Sequence, residues 1–468
     1  MVLTFFNSMG NKPEEFKPIN KNKVGLYTCG PTVYNYAHIG NFRAYVWEDI
    51  LKRYLKFKGF EVNHVMNLTD VDDKTIKGSQ EQKLTLEEFT EKYKKAFFED
   101  LKTLNIEPAD HYPAATETIG EMVNLVQTLL DKGIAYRGED GSIYFSIKKF
   151  PKYGKLANID ISKLKVGARV SADEYEKEGI GDFALWKAWD ETDGPVFWET
   201  KLGKGRPGWH IECSAMSSKF LGESFDIHTG GVDNKFPHHE NEIAQSEAAS
   251  GKQFVRYWLH CEHLMVEGKK MSKSLGNFYT LRDLIEKKLE AKAIRFTLAN
   301  SNYRQPLNFT IDSVKDNEKT VKGLQNLVER LREIKEEKEN DSIGILTTKA
   351  LAGFEEAMDD DLNVPRAMSF IFEFQGEINK LIDENALGTN GAKEAIVFLK
   401  KIDSVMGVLN FEQKFFELSE EQQKLVNERN AARVAKDWAK ADELRDKLIE
   451  QGIVLVDNKD GTTTAKAA

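Results

Sequence analysis

His238 and Glu242 stand four residues apart in a helical pattern, so both side chains leave one face, a turn apart. With Cys29 and Cys213 they would make a donor set of two thiolates, an imidazole and a carboxylate, which suits Zn2+ better than Mg2+ or Ca2+. Each residue also has a plainer reading. A free cysteine is commonly a small buried hydrophobe, and a His/Glu pair at this spacing is commonly a surface pair. No Cys-x-x-Cys spacing joins the two thiols. His239, one position on, projects about 100° away and reads as structural. A second chemistry concerns phosphate. Gly268-Lys269-Lys270-Met271-Ser272-Lys273-Ser274-Leu275-Gly276 is a loop with a glycine at each end and three lysines inside. It can close over a polyphosphate and put ammonium groups on developing charge, or it is simply an exposed basic loop. His38-Ile39-Gly40-Asn41 opens a helical pattern directly after a strand, where free N–H groups and the helix dipole attract phosphate. A capping or core histidine is the alternative there.

These residues need a scaffold. Residues 24–28 read as a short buried strand, residues 43–58 as a helix with Val46, Ile50, Leu51, Tyr54 and Leu55 at apolar spacing, and residues 60–67 as a second strand. This βαβ order predicts a parallel sheet with a right-handed crossover, and ligands sit at the carboxyl ends of such strands. Residues 86–104 read as a helix. From 113 to about 205 the character changes, with a helix over 117–132 and short strands around 143–147, which reads as an insertion splitting the sheet. The sheet is expected to resume at 208–214, putting Cys213 at a strand end. Residues 225–228 read as a strand, 229–233 as a turn, and Pro237 as the first-turn residue of a helix. Residues 259–266 read as another strand. Beyond Leu281 helical spacing recurs over 311–338, 351–358, 365–382, 392–408, 420–435 and 438–450, before a final strand or hairpin over 452–463. The fold class expected is α/β. A Rossmann-type parallel-sheet catalytic domain is split by an insertion and followed by a helical bundle and a small mixed α/β C-terminal domain. The boundaries are 1–115, 116–205 (insertion), 206–310, 311–410 (bundle) and 411–468.

Composition narrows the class. At 468 residues the chain exceeds what one core usually supports, and its 41% apolar share is that of a globular protein. No run approaches the ~18 apolar residues of a membrane span, and Phe5-Phe6 runs at once into polar residues, so no secretory signal is expected. Three cysteines argue against a disulfide framework and for a reducing cytoplasm. A net charge of −9 leaves any nucleic-acid contact to local grooves.

Taken together, the strand, His-x-Gly, Gly-Gly-x-Asp and Lys-Met-Ser-Lys-Ser, in that order, resemble the class I aminoacyl-tRNA synthetases, with their HIGH-type and KMSKS signatures. Longer blocks, Tyr27-Thr28-Cys29-Gly30-Pro31-Thr32-Val33-Tyr34, Asn67-Leu68-Thr69-Asp70-Val71-Asp72-Asp73-Lys74, Gly208-Trp209-His210-Ile211-Glu212-Cys213-Ser214 and Phe236-Pro237-His238-His239-Glu240-Asn241-Glu242, resemble cysteinyl-tRNA synthetases. The resemblance spans residues 3 to 463. It implies zinc held by Cys29, Cys213, His238 and Glu242, and a cysteine pocket walled by Thr69, Trp209 and His228. It implies ATP bound at Gly40, Asn41, Gly231, Asp233 and Lys273 with Mg2+, and His38, Lys270 and Lys273 as catalytic groups. Arg433, Asp442 and Asp457 would read anticodon bases.

The implied activity forms cysteinyl-adenylate from L-cysteine and ATP and transfers it to tRNA(Cys), by a cytoplasmic protein expected to be a monomer. Asn41 departs from the signature, whose fourth residue is most often histidine. Asp359-Asp360-Asp361 reads as an acidic helix-start cap rather than a metal site, and Trp438 as core. Two other functions fit part of the chain. One is a paralogue that passes cysteine to a small amine, as in the mycothiol pathway, which the helical half argues against. The other is a zinc-stabilised RNA-binding protein, which would not need the lysine loop.

Overall fold

The structure, a computed structural model, describes residues 2–158, 169–170, 181–272, 276–338, 340, 342–412, 418–457 and 463–467. Two compact units divide the chain, one ending at Leu409 and the other beginning at Asn410.

The first unit opens with the hairpin β1 (Thr4–Asn7) and β2 (Lys12–Glu15). Next come β3 (Lys23–Thr28), α1 (Ile39–Phe57) and β4 (Glu61–Met66), then α2 (Asp73–Gln82) and α3 (Leu86–Thr103). Helix α1 begins four residues before the apolar pattern does. A capping box made by its own first residues sets the start: His38 Nδ1 accepts from Asn41 N and Asn41 Oδ1 accepts from His38 N. Nearly every side chain of α1 is buried, polar ones included. Sheet strands, a later helix and the bundle pack around it, which is why its apolar stripe is broad.

The insertion contributes α4 (Ile119–Asp131), β5 (Ala135–Arg137), β6 (Ile143–Phe145), β7 (Arg169–Val170), β8 (Asp182–Ala188), β9 (Trp198–Thr200) and β10 (Gly203–Pro207). Its strands form a sheet ordered β5-β6-β8-β10-β9, with β7 beside β8. The stretch at 208–214, expected as a strand, is instead the start of helix α5 (Trp209–Leu221). Gly208 caps it and Glu212 lies in its favourable first turn. Cys213 therefore leaves a helix, not a strand end. Strand β11 (Phe225–Gly231) runs through Thr229, Gly230 and Gly231, so the expected turn begins three residues later, at Val232. After α6 (His238–Ser250), for which Pro237 is the residue preceding the first turn, the stretch read as one strand divides into β12 (Val255–Cys261) and β13 (Leu264–Val266).

The main sheet has the order β12-β11-β3-β4 and is parallel throughout. Beneath it lies a core that includes Val65, Met122, Phe145, Trp186, Ile211 and Trp258, so α4, α5, α6 and the insertion share one apolar interior with the sheet. The chain continues through β14 (Lys269–Lys270), α7 (Leu281–Glu286), α8 (Ala291–Ala299) and β15 (Leu307–Phe309). It then enters a bundle of α9 (Ile311–Glu333), α10 (Ser342–Asp359), α11 (Val364–Asp383) and α12 (Thr389–Met406).

The acids at 359–361 correct the expectation of a helix-start cap. Asp359 ends α10 and binds Tyr54 Oη at 2.7 Å and Lys58 at 3.1 Å. Asp361 accepts from Phe6 N at 2.9 Å, Tyr303 Oη at 2.6 Å and Arg304 Nε at 2.6 Å. Asn363 is what caps α11. These acids tie the bundle to the amino-terminal hairpin and to α1.

The second unit is α13 (Glu420–Val434), α14 (Trp438–Glu450) and the antiparallel pair β16 (Ile453–Asp457) and β17 (Thr463–Ala467). Val426, Leu448, Ile453 and Leu455 form its core. Trp438, expected in a core, is 59% exposed at the first position of α14. No helix among the described residues is long and apolar enough to cross a membrane.

Candidate active site

Cys29 follows the last residue of β3, Cys213 lies in the second turn of α5, and His238 and Glu242 share one face of α6. Their ligand atoms all lie within 4.8 Å of one another. The close approach depends on Gly30, where an added Cβ would stand 1.7 Å from the Asn67 carbonyl oxygen. Only glycine lets the chain turn there beside β4.

The donor set fits a soft or borderline cation. Glu242 is completely buried, and its Oε1 has no hydrogen bond although His238 Nε2 lies 3.2 Å away. A hydrogen bond with Cys213, burial, and the neighbouring Cys213 and Glu242 charges all push the Cys29 thiol up. Groups that repel one another in a dry site are the groups a cation reconciles. The His238 ring is oriented from behind, its Nδ1 3.0 Å from His210 Nδ1, and burial holds both histidines down at about 3, neutral as ligation requires.

Of the three expected pocket residues, Trp209 and His228 touch this cluster, and Thr69 touches Glu212, the residue before Cys213 in the chain. Thr69 donates to Glu212 Oε2 at 3.0 Å, Trp209 stacks on His238 with ring centroids 4.2 Å apart, and His228 Nε2 lies 3.0 Å from Glu242 Oε2. Sequence reasoning missed several neighbours. Tyr27 is fully buried with both thiols close to its hydroxyl, and its place two residues before Cys29 put it on the same strand face. His239 was expected to point away. In fact its Nε2 lies 3.3 Å from Cys29 Sγ, because the first turns of α6 are buried on every side. His260, on β12, backs His239. The third thiol, Cys261, is buried at the end of β12, and burial pushes it up to about 12.

On the other side of the β3 end, His38, Gly40 and Asn41 form the start of α1. Burial lowers His38 while the Asp233 carboxylate pulls the other way. Asp233 also folds back over Gly231, where an added Cβ would meet its Oδ1 at 2.4 Å. Asn41 has a structural account: its amide oxygen closes the capping box. The lysine loop arrives here as well. Ile39 N donates to Tyr279 O at 2.9 Å, His38 pairs with Thr280 as a β-bridge, and Met271 Cε lies 3.2 Å from the position of a Cβ on Gly40. Lys270 is exposed on β14, whereas Lys273 lies outside the described residues.

In the second unit Arg433 and Asp457 meet as an ion pair, with Arg429 on the same carboxylate at 2.6 and 2.8 Å. These arginines hold Asp457 well below the usual carboxylate range, Arg429 foremost. Asp442 is exposed on α14 and is felt by Arg429 but forms no ion pair among the described residues.

A parallel sheet with a His-x-Gly helix start facing a lysine loop defines the class I aminoacyl-tRNA synthetases, and residues 15–319 match the tRNA synthetases class I (C) catalytic domain. The fold is shared with a methionyl-tRNA synthetase from Mycobacterium tuberculosis in complex with methionyl-adenylate (TM-score 0.61, 14% identity, covering 82% of this chain and 89% of that one). A leucyl enzyme from Agrobacterium radiobacter K84, LeuRS in a ternary complex, also shares it (TM-score 0.59, 10% identity, covering 84% and 85%). Residues 353–410 match a DALR domain, and residues 417–463 the cysteinyl-tRNA ligase anticodon binding domain. Cysteine–tRNA ligases from Protochlamydia amoebophila (49% identical over 467 residues, 99% of this chain and 98% of the relative) and Chlamydia pneumoniae (50% over 462, 98% and 97%) are similar over their whole length. The chain belongs to the cysteine–tRNA ligase family.

Proposed function

We propose that this protein activates L-cysteine with ATP and transfers the cysteinyl group to the 3′ end of tRNA(Cys), selecting cysteine by its sulfur. The observation that carries the reading is the convergence of Cys29, Cys213, His238 and Glu242 within 4.8 Å, beside the helix start at His38. Those four residues would hold Zn2+, which when bound takes the substrate's thiolate as a further ligand and is poorly served by the hydroxyl of serine. Thr69, Trp209 and His228 close the pocket around the small side chain, and that selection needs no editing domain.

The other roles fall to groups around the nucleotide. Gly40, having no side chain, lets adenine lie against the backbone, with Gly231 and Asp233 toward the ribose and Asn41 holding His38 in place. The substrate carboxylate attacks the α-phosphorus and pyrophosphate leaves. Lys270 and Lys273 stabilise the charge gathering there, His38 donates from the helix start, and Mg2+ accompanies ATP. A ribose hydroxyl of the tRNA then attacks the carbonyl carbon of the adenylate, and AMP leaves. Arg433, Asp442 and Asp457 read anticodon bases by hydrogen bonds, and the exposed Trp438 ring offers a stacking surface. The protein works as a cytoplasmic monomer, with the domain limits given above.

Pyrophosphate exchange, run with cysteine and with serine alongside metal analysis, tests this reading. The intact chain should carry about one zinc and prefer cysteine by ~10⁴ or more. His238→Ala should lose both metal and exchange. Full zinc content with unchanged exchange in that variant would refute it.

A further inference from the structure

Glu242 serves two sets of donors with its two oxygens. Oε1 lies 3.2 Å from His238 Nε2, while Oε2 lies 3.0 Å from His228 Nε2. On the His228 side stands His239, whose Nε2 is 3.3 Å from Cys29 Sγ. The ligand atoms of Cys29, His228, His239 and Glu242 lie within 4.8 Å of one another, as closely as those of the first set. The His228–Glu242 and His239–Cys29 spacings are near the ~3.3 Å between two donors of a tetrahedral zinc ion with bonds of 2.0–2.1 Å, and His239 Nε2 stands 4.0 Å from Glu242 Oε1.

Both imidazoles are held from behind. His228 Nδ1 lies 3.1 Å from the Thr229 carbonyl, a contact that aims Nε2 at Glu242 Oε2, 3.0 Å away in a fully buried place. His239 is mounted as metal-binding imidazoles are: its Nδ1 lies 2.9 Å from His260 Nε2, and His260 Nδ1 lies 2.8 Å from Ser8 Oγ. The first set, with two thiolates and a carboxylate, keeps an excess of negative charge around a single dication, and that favours a neighbour.

We propose that the zinc-loaded protein takes a second divalent cation of borderline softness at Cys29, His228, His239 and Glu242. Glu242 and Cys29 are shared between the two ions, as in bridged two-metal sites. Because His228 belongs to the pocket we assign to cysteine, this ion and the substrate exclude each other. The second site is therefore an inhibitory one, through which excess zinc-like metal restrains cysteine activation. The inference rests on the zinc and pocket reading above.

Cobalt is the probe. The full-length, zinc-loaded chain is dialysed against cobalt(II), and bound zinc, bound cobalt and the visible cobalt spectrum are measured. Expected are retention of the one zinc, uptake of about one cobalt with the intense absorption of tetrahedral coordination, and loss of that cobalt when cysteine is present. His239→Ala should keep its zinc and bind cobalt at least about tenfold more weakly. His260→Ala, which only unmounts His239, should weaken it about 10–100-fold. Cobalt uptake by His239→Ala equal to wild type, or loss of the first zinc together with the second ion, overturns the second site. A wild-type chain that holds no zinc at all overturns the first reading instead.

Discussion

Glu48 shows how one side chain can set the pH response of this protein. It is 1% exposed on α1, accepts from Thr229 Oγ1 at 2.7 Å, and burial pushes it up to about 8. That lies above its ordinary 4.5, so the folded chain keeps a proton over a range where the unfolded chain has lost it. The stabilisation is therefore complete below about 4.5 and is lost as the pH rises toward 8, at up to about 1.4 kcal/mol per pH unit. Glu48→Gln keeps an acceptor for Thr229 and has nothing to ionise. Urea unfolding of the first unit should show the stability difference, wild type minus Glu48→Gln, falling between pH 5 and 8, while the buried His210, His238 and His260 titrate alike in both chains. Parallel profiles would mean that Glu48 is already ionised in the fold.

At the scale of the element, α1 is held at both ends. Its start carries the capping box and the β-bridge to Thr280. Its second half is fixed by Asp49, which receives Arg53 and Arg295. Arg295, fully buried, also donates to Met406 O at 2.7 Å and Leu104 O at 3.0 Å, so one guanidinium joins α1, α8, the end of α3 and the last turn of α12. Breaking a buried pair on one side costs about 3–5 kcal/mol when the remaining charge has no other partner. Asp49 keeps Arg53, so Arg295→Ala should destabilise the first unit by about 3 kcal/mol, the low end, in a denaturant titration. Adding Asp49→Asn should cost less than the same change made in the wild-type chain, since Asp49 then has one arginine left to hold rather than two. Additive losses in the double variant would show that the two side chains act separately.

For the whole molecule the break at Leu409 is the useful fact, because the first unit keeps its own sheet, core and bundle without the last 59 residues, 410–468. A chain ending at Leu409 should fold and retain most cysteine-dependent pyrophosphate exchange while losing charging of tRNA(Cys) by ~10² or more, the expected scale when several base contacts at 1–3 kcal/mol each are removed. Charging at the full-length rate would exclude the second unit from tRNA recognition.

What the sequence determined by itself was whatever depends on near neighbours. The strand before Cys29, the helix after His38, the i,i+4 face of His238 and Glu242, and the run of carboxyl-terminal helices are all set by residues within a turn or two of one another. Of the candidate donor set only the His238–Glu242 pair is a matter of near neighbours; Cys29 and Cys213 stand far from it in the chain, and the resemblance to a family joined them to it. Tertiary structure alone decided where they meet. Cys213 rides on a helix because that segment packs between α4, α6 and the sheet, against its strand-like look. His239 turns inward because α6 is enclosed on all sides. The acids at 359–361 answer Tyr54, Lys58 and Tyr303, partners 58 to 305 residues away. Local pattern cannot see contacts at such separations, for they are made by packing and by the pairing of buried charge, and it is there that this site is built.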